Sequence, residues 1–100
     1  MQVSYQYKGK WHIKSINEVQ AFIGRKNSVQ PPTIDLSPDE TVSRRHARIW
    51  VENSVCWIED MGSTYGTKVN GTTITARQQL MEGDTVLIGE TTLRVDASGA

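Results

Sequence analysis

The stretch that decides the fold is Ala47-Arg48-Ile49-Trp50-Val51-Glu52-Asn53-Ser54-Val55-Cys56-Trp57-Ile58-Glu59. It holds two short runs rich in β-branched and aromatic residues, joined by the turn residues Asn53 and Ser54, and this pattern predicts a β-hairpin. An antiparallel pair brings the residue before its first strand close to the residue after its second strand. We therefore expect the segments that flank the hairpin to meet at one end of a sheet.

Both flanking segments are polar and gather most of the unusual local chemistry of the chain. The hairpin is preceded by Ser43-Arg44-Arg45-His46 and followed by Gly62-Ser63-Thr64-Tyr65-Gly66-Thr67-Lys68-Val69-Asn70-Gly71. Glycine, serine and asparagine are typical of turns and loops. We predict that the two polar clusters form one site and that the rest of the chain is scaffold.

The scaffold consists of further short β-prone runs separated by turn signals. We expect a first hairpin over residues 3–7 and 11–14, a third run over 19–23, a short strand over 33–36, strands over 67–70 and 72–75, and a final hairpin over 85–89 and 91–95. Residues 78–84 are expected to form a loop with an apolar anchor. No window shows sustained helical spacing. The fold class predicted is all-β, a two-sheet β-sandwich.

Length and composition limit the number and kind of domains. With 100 residues, 37% hydrophobic and 22% charged, the chain fits one folded domain and neither a disordered tail nor a membrane protein. We expect one domain over residues 1–96, a polar tail or linker over 97–100, and a cytoplasmic location. Cys56 is the only cysteine, so an intrachain disulfide is excluded, and its apolar surroundings predict a small core residue.

The charge balance excludes attraction to polyanions by the molecule as a whole. Eleven Lys plus Arg are matched by eleven Asp plus Glu, so a bound anion must be met by local charges. Local cations do occur in the polar segments, at Arg25, Lys26, Arg44, Arg45 and Arg48.

A set of short motifs resembles the forkhead-associated (FHA) domain, especially its bacterial members. The motifs are Gly24-Arg25, Ser43-x-x-His46, Gly62-Ser63-Thr64-x-Gly66-Thr67 and Asn70-Gly71. Their order and spacing cover nearly the whole chain. The resemblance implies about eleven short, mainly antiparallel strands in an FHA/SMAD-like sandwich whose loops at one end bind phosphothreonine in a partner protein. It also implies a signalling module downstream of a Ser/Thr kinase, with no catalytic residue, metal or cofactor.

The resemblance assigns roles to individual residues, and phosphate chemistry agrees with the first of them. A phosphothreonine carries about −1.5 to −2 charge and three acceptor oxygens, which a guanidinium and neutral donors suit. Arg25 is the expected phosphate clamp, Ser43 donates its hydroxyl, and Arg44 and Thr64 add phosphate contacts. Flanking or peptide-backbone contacts are expected from Thr41 and Tyr65. The loops are expected to be braced or turned by Gly24, His46, Gly62, Gly66, Asn70 and Gly71.

Tyr65 departs from the family pattern, which has asparagine at this position. A phenol lacks the paired donor and acceptor of a carboxamide, so peptide affinity or register is expected to differ. The phosphate clamp does not depend on this position. One neutral hydrogen bond contributes roughly 0.5–1.5 kcal/mol, and each bond to a charged group roughly 1.5–3 kcal/mol. Phosphate-dependent binding is therefore still predicted.

Three other functions compete with this interpretation. An enzyme could use Ser43, His46 and Asp60 as a triad, but Ser43 lacks the Gly-x-Ser-x-Gly turn of one major hydrolase fold, and His12 and His46 are not part of a metal-ligand set. Nucleic-acid binding could use the arginines with Trp50 and Trp57, against the zero net charge. The runner-up is a phospho-independent protein–protein interaction module on the same fold. We expect no nucleic-acid partner and no membrane insertion.

Overall fold

A computed structural model of the protein describes residues 2–28 and 31–96, which form two β-sheets packed face to face. The first sheet has the strand order β2-β1-β11-β10-β7-β8. Its strands are β1 Gln2–Tyr7, β2 Lys10–Ser15, β7 Thr67–Val69, β8 Thr72–Thr73, β10 Val86–Ile88 and β11 Thr91–Asp96. The second sheet has the order β4-β3-β5-β6-β9. Its strands are β3 Gln20–Gly24, β4 Ile34–Asp35, β5 Ala47–Glu52, β6 Val55–Asp60 and β9 Gln78–Leu80.

The hairpin of β5 and β6 lies at the centre of the second sheet, and its prediction is confirmed. Ile49 pairs with Ile58, and Trp50 with Trp57. Asn53 and Ser54 adopt φ angles of 52° and 64°, and two successive positive φ angles are typical of the two-residue turn whose twist matches that of the strands. The β6 strand returns the chain to the end of the sheet at which β5 began.

Alternation along the strands produces one apolar layer between the sheets. The second sheet buries Ala21, Ile23, Ile34, Ala47, Ile49, Cys56, Ile58 and Leu80, and the first buries Val3, Val69, Val86, Ile88, Leu93 and Val95. The expectation that the single cysteine is a core residue is confirmed, since Cys56 is 3% exposed. Burial raises the pKa of its thiol.

The predicted fold class, an all-β two-sheet sandwich of about eleven strands, is confirmed for the described residues. One local prediction is wrong. Residues 78–80 are not loop but strand β9, in which Cys56 pairs with Leu80 and Ile58 with Gln78. The open edge of β6 supplies the hydrogen-bonding partners, and Leu80 fills the core, so tertiary pairing overrides a sequence with little β-propensity.

The position of strand β4 determines what lies beside the site. Strand β4 lies parallel to β3, with Ile23 beside Ile34 and Gly24 beside Asp35, so both strands end at the same end of the sheet.

The 97–100 segment, for which a tail was predicted, lies outside the described residues. Over the part of the chain that the structure describes, there is no helix of the length and apolarity needed to cross a bilayer.

Candidate functional site

Three loops meet at one end of the sandwich, after β3, after β4 and after β6. Main-chain hydrogen bonds tie them together: the Arg25 amide donates to the Ser43 carbonyl at 3.2 Å, and the His46 amide to the Ile23 carbonyl at 3.0 Å. The Met61 amide donates to the His46 carbonyl at 2.9 Å. The hairpin thus brings its two polar flanks to the same end of the sheet.

Gly24 permits the closest approach between two of these loops. It is buried, and a Cβ placed there would overlap the carbonyl oxygen of Arg44 and lie 2.8 Å from the carbonyl carbon. Backbone atoms have little freedom to retreat from such a contact. Glycine is therefore required for the Arg25 loop to lie directly against the loop that carries Ser43.

Arg25 is half-buried and held by one edge of its guanidinium. Its Nε donates to the Val42 carbonyl at 3.0 Å. The described residues include no carboxylate in an ion pair with it. An arginine has five N–H donors in a fixed planar fork, so anchoring by Nε leaves the four donors on the terminal nitrogens for another partner.

Ser43 is oriented by a hydrogen bond that its hydroxyl oxygen accepts, which leaves the hydroxyl proton available for donation. Its Oγ accepts a hydrogen bond of 3.1 Å from the Thr64 amide. A hydroxyl that accepts in this way keeps one O–H donor. The loop after β6 therefore positions the Ser43 hydroxyl as a donor, next to the loop that carries Arg25.

His46 is fully buried at 0% exposure and joins the loops after β4 and β6. The Ser43 amide donates to Nδ1 at 3.0 Å, and Nε2 lies 2.8 Å from the Gly66 carbonyl. Because Nδ1 must accept, Nε2 carries the proton and donates to Gly66. Both ring nitrogens are occupied by main-chain groups, so the imidazole cannot act as a base toward the Ser43 hydroxyl.

Asp60 braces the loop after β6, a role that sequence reasoning missed. Its carboxylate accepts from the amides of Gly62 at 2.9 Å and Ser63 at 3.0 Å, from the Ser63 hydroxyl, and from the Thr67 hydroxyl at 2.8 Å. Burial alone raises the pKa of Asp60, but these hydrogen bonds outweigh burial and lower it overall. The Ser-His-Asp triad is not assembled, because Asp60 contacts loop donors instead of His46.

Asp39 is a second brace that sequence reasoning missed. It is fully buried and accepts from the Thr41 amide at 3.0 Å and from the Thr41 hydroxyl. Its other oxygen accepts from the Glu90 amide at 2.9 Å and the Thr91 hydroxyl at 2.7 Å. Burial acts to raise the pKa of Asp39, but the hydrogen bonds from Thr41 and Thr91 lower it overall. Asp39 thus fixes the loop before Ser43 to the β10–β11 turn.

Comparisons with known proteins identify the family of this chain. The FHA domain family matches residues 21–89. The chain belongs to the FHA domain family. Protein FraH from Nostoc is 34% identical over 91 residues, 79% of this chain and 32% of FraH. FhaB from Mycobacterium tuberculosis is 32% identical over 81 residues, 81% of this chain and 50% of FhaB. The chain therefore spans about a third to a half of the length of these curated relatives.

Solved structures match over almost the whole FHA domain. The FHA domain of FhaA, solved in complex with the intracellular domain of Rv3910, has a TM-score of 0.77 and 30% identity, covering 95% of this chain and 98% of that one. A second, from a study of phosphothreonine-dependent FHA domain interactions, has a TM-score of 0.72 and 31% identity, covering 96% and 98%. FHA domains are interaction modules, and the predicted family is thereby confirmed.

The remaining candidate residues of the FHA domain divide between its two ends. Arg44, Thr64 and Tyr65 are exposed at the loop end, and Tyr65 is 67% exposed. Asn70 and Gly71 instead form the β7–β8 turn, with φ angles of 51° and 84°, at the opposite end of β7 from Gly66.

Asn70 has a defined structural role at that far end. Its side chain donates to Asp84 and accepts from the Thr85 amide, both at 3.0 Å. It braces the turn to the segment before β10 and lies away from the Ser43 loop. Of the predicted loop-bracing residues, Gly24, His46, Gly62 and Gly66 belong to the loop end, whereas Asn70 and Gly71 do not.

Over the described residues, no group of three or more His, Cys, Asp or Glu side chains is placed to hold a metal ion. The chemistry that the loop end offers is instead hydrogen-bond donation and positive charge. Both suit an anion.

Proposed function

We propose that this FHA domain binds phosphothreonine in a segment of a partner protein, with Arg25 and Ser43 as the main phosphate contacts. The observation that carries the proposal is the paired geometry of these two side chains. The Val42 carbonyl holds Arg25 by Nε, and the Thr64 amide holds the Ser43 oxygen. Each side chain thus keeps its remaining donors for a ligand, and together they match the planar and single-donor contacts that a phosphate takes.

Exposed and half-buried residues of the same loops complete the proposed site. Arg44 and Thr64 are proposed to add phosphate contacts, and Thr41 and Tyr65 to contact the peptide on either side. Such a module needs a Ser/Thr kinase upstream to phosphorylate its partner. We place the interaction in cytoplasmic signalling, and the FHA domain itself catalyses no reaction in this proposal. The relative described by phosphothreonine-dependent interactions supports the ligand class.

The decisive experiment titrates the domain with matched peptide libraries that carry phosphothreonine, phosphoserine or plain threonine, followed by amide shifts in NMR spectra. We expect saturable binding of phosphothreonine with shifts around Arg25, Ser43, Arg44 and Thr64. A pocket for one methyl group is worth about 10- to 200-fold in selectivity, so phosphoserine should bind more weakly by that order. Equal binding of plain threonine peptides would refute the proposal.

Substitution of Arg25 separates binding from folding. Arg25→Ala removes at least two hydrogen bonds to a charged ligand, so affinity should fall about 100-fold or more. Arg25→Lys keeps the charge without the planar fork and should be intermediate. Arg94→Gln is the matched control, because Arg94 is exposed on the outer face of the first sheet, over the Trp11 ring. Unchanged phosphopeptide affinity in Arg25→Ala would contradict the assignment.

The phospho-independent alternative has one observation in its favour. Trp11 and Ile13 are 46% and 69% exposed and share the outer face of β2. Apolar side chains exposed together are typical of protein contact surfaces. A folded domain that binds its partner without phosphorylation, and loses binding in Ile13→Ser instead of Arg25→Ala, would favour this function.

A further inference from the structure

A groove lies between the edge strands of the two sheets, beside the proposed phosphate site. Strand β2 is the edge of the first sheet and β4 the edge of the second. The groove has a volume of about 450 Å³. Its first wall is formed by Tyr5, Tyr7, Lys8, Lys10 and His12, and its second by Asp35, Leu36, Ser37 and Pro38.

The pairing of β1 with β2 explains why polar residues line this groove. Tyr5 pairs with His12 and Tyr7 with Lys10, on the same face of the sheet as the buried Val3. Side chains on this face would enter the core if the sheets stayed closed, but at the sandwich edge they meet the segment 35–38 instead. The groove therefore has an aromatic floor and a basic rim.

The groove has one closed end and one end that adjoins the phosphate site. Lys14 Nζ donates to the Thr33 carbonyl and bridges β2 to the segment before β4. At the other end, the Lys26 amide donates to Ser37 Oγ at 2.9 Å. Lys26 follows Arg25, so standard backbone dimensions place Ser37 Oγ within about 6 Å of the Arg25 Cα. The groove therefore opens close to the backbone of Arg25.

The charges along the groove favour an anionic occupant. Lys8 and Lys10 are exposed at the β1–β2 turn, and Asp35 is the one acid that lines the groove. Asp35 Oδ1 accepts from the amides of Lys26 at 3.2 Å and Ser37 at 2.9 Å. Its charge is thus met by the Ser37 side chain and amide and by the Lys26 amide, whereas the two lysine ammonium groups form no ion pair with any described residue.

The aromatic floor strengthens that preference and adds a donor. The rings of Tyr5 and His12 stack with centroids 5.2 Å apart. Burial, and then the charge of Asp35, raises the pKa of Tyr5, so its phenol stays protonated near neutral pH. An apolar surface below an ion pair excludes water and lowers the local dielectric constant, which increases the attraction.

We infer that this groove binds carboxylate side chains of the same partner segment that carries the phosphothreonine. The inference rests on the proposed function, because the phosphate contact brings the segment to the mouth of the groove. An extended peptide advances about 3.3–3.6 Å per residue, so acids roughly two to four positions from the phosphothreonine would reach it. The domain would then read an acidic flank in addition to the phosphate.

The test uses two series of phosphothreonine peptides, which carry glutamate two to four positions away on either the N-terminal or the C-terminal side. Each is compared with the same peptide carrying glutamine at those positions. Exposed ion pairs are individually weak. Two of them should make the wild type bind the glutamate peptide of one series about two- to tenfold more tightly than its glutamine counterpart. Lys8→Gln with Lys10→Gln should abolish that preference and leave the glutamine peptide unchanged. Lys68→Gln is the matched control, since Lys68 is exposed on β7, four strands from β2 and thus about 19 Å away.

The outcomes separate the inference from the proposed function. Phosphothreonine-dependent binding with equal affinity for glutamate and glutamine peptides overturns the inference and leaves the proposed function standing. A preference lost equally in Lys68→Gln is a general charge effect and also overturns it. A doubly phosphorylated peptide that binds more tightly, with no gain from glutamate, assigns the groove to a second phosphate and not to carboxylates. Failure to bind any phosphopeptide removes both proposals.

Discussion

Replacing Asp39 by alanine should destabilise the domain strongly, although Asp39 belongs to none of the motifs found in the sequence. The fully buried carboxylate accepts four hydrogen bonds, from the amide and hydroxyl of Thr41, the Glu90 amide and the Thr91 hydroxyl. Each buried donor left without a partner costs about 1–3 kcal/mol. If the buried Thr91 hydroxyl and one amide stay unsatisfied, the free energy of unfolding falls by about 2–6 kcal/mol.

Urea denaturation followed by tryptophan fluorescence measures this loss, and a thermal scan converts it to temperature. For a domain of this size, each kcal/mol shifts Tm by about 4–8 °C, so Asp39→Ala should lower Tm by about 10–50 °C. Glu40→Ala is the matched control because Glu40 is adjacent and exposed, and it should change stability by no more than about 0.5 kcal/mol. A loss in Asp39→Ala no larger than in the control would refute the reasoning.

The same carboxylate predicts a pH dependence of defined sign. The pKa of Asp39 in the folded domain lies below its ordinary value, so the unfolded state binds the proton more readily. The stabilisation is complete above the unfolded pKa of about 3.9 and is lost as pH falls through the lower folded value. The wild type should therefore lose stability below about pH 4 more steeply than Asp39→Asn. Parallel curves for the two proteins would contradict this.

Three more predictions concern stability and can be checked by denaturation. Gly24→Ala should cost about 1–3 kcal/mol through overlap with the Arg44 carbonyl; an unchanged urea midpoint would show that the loop yields. Asp60→Asn should flatten the stability–pH curve below about pH 4, because the folded pKa of Asp60 is also lowered; a curve that follows the wild type would count against this. Arg48→Gln should lower the free energy of unfolding more than Arg77→Gln. Arg48 is the less exposed of the two, pairs with Glu59 at 2.7 Å and lies 4.2 Å over the Trp50 ring. Arg77→Gln should cost less than about 1 kcal/mol, and the reverse order would refute the comparison.

Local pattern was sufficient to predict most of the strands and the meeting of the two polar flanks. The β5–β6 hairpin follows from two β-branched runs around Asn53 and Ser54, and alternation correctly separates buried Ile49 and Ile58 from the outward-facing Trp50 and Trp57. Strand β9 could not be predicted in this way. Gln78 and Gln79 carry no β signal of their own, and the strand exists because β6 has an open edge in three dimensions.

The site shows the same limit at the level of single residues. The resemblance to the FHA family, carried by the order of its motifs, predicted Arg25, Ser43 and His46 at one place. Asp39 carried only the signal of a turn residue, although an aspartate two residues before a threonine is a common local hydrogen-bonding pattern. Its bonds to Glu90 and Thr91 span more than fifty positions, and no local pattern contains that information.

The acids of the loop end explain how a domain with no net charge presents an anion site. Asp35, Asp39 and Asp60 all lie in or beside the loops that surround Arg25, and none forms an ion pair with it. Instead, each accepts hydrogen bonds from main-chain amides and from serine or threonine hydroxyls. Those bonds lower the pKa of all three carboxyls, which keeps them charged and committed to the backbone.

These hydrogen bonds from main-chain amides to the carboxylates both hold the loops in place and leave positive charge available for a ligand. A carboxylate that is already satisfied by amides gains little from moving to an arginine, since it would leave buried donors unpaired. Arg25 therefore keeps its terminal nitrogens for another anion while the loops around it stay fixed. Loss of one brace, as in Asp60→Ala, should weaken phosphopeptide binding, although the added positive charge alone would strengthen it, because the Thr64 amide that orients Ser43 is carried by the braced loop.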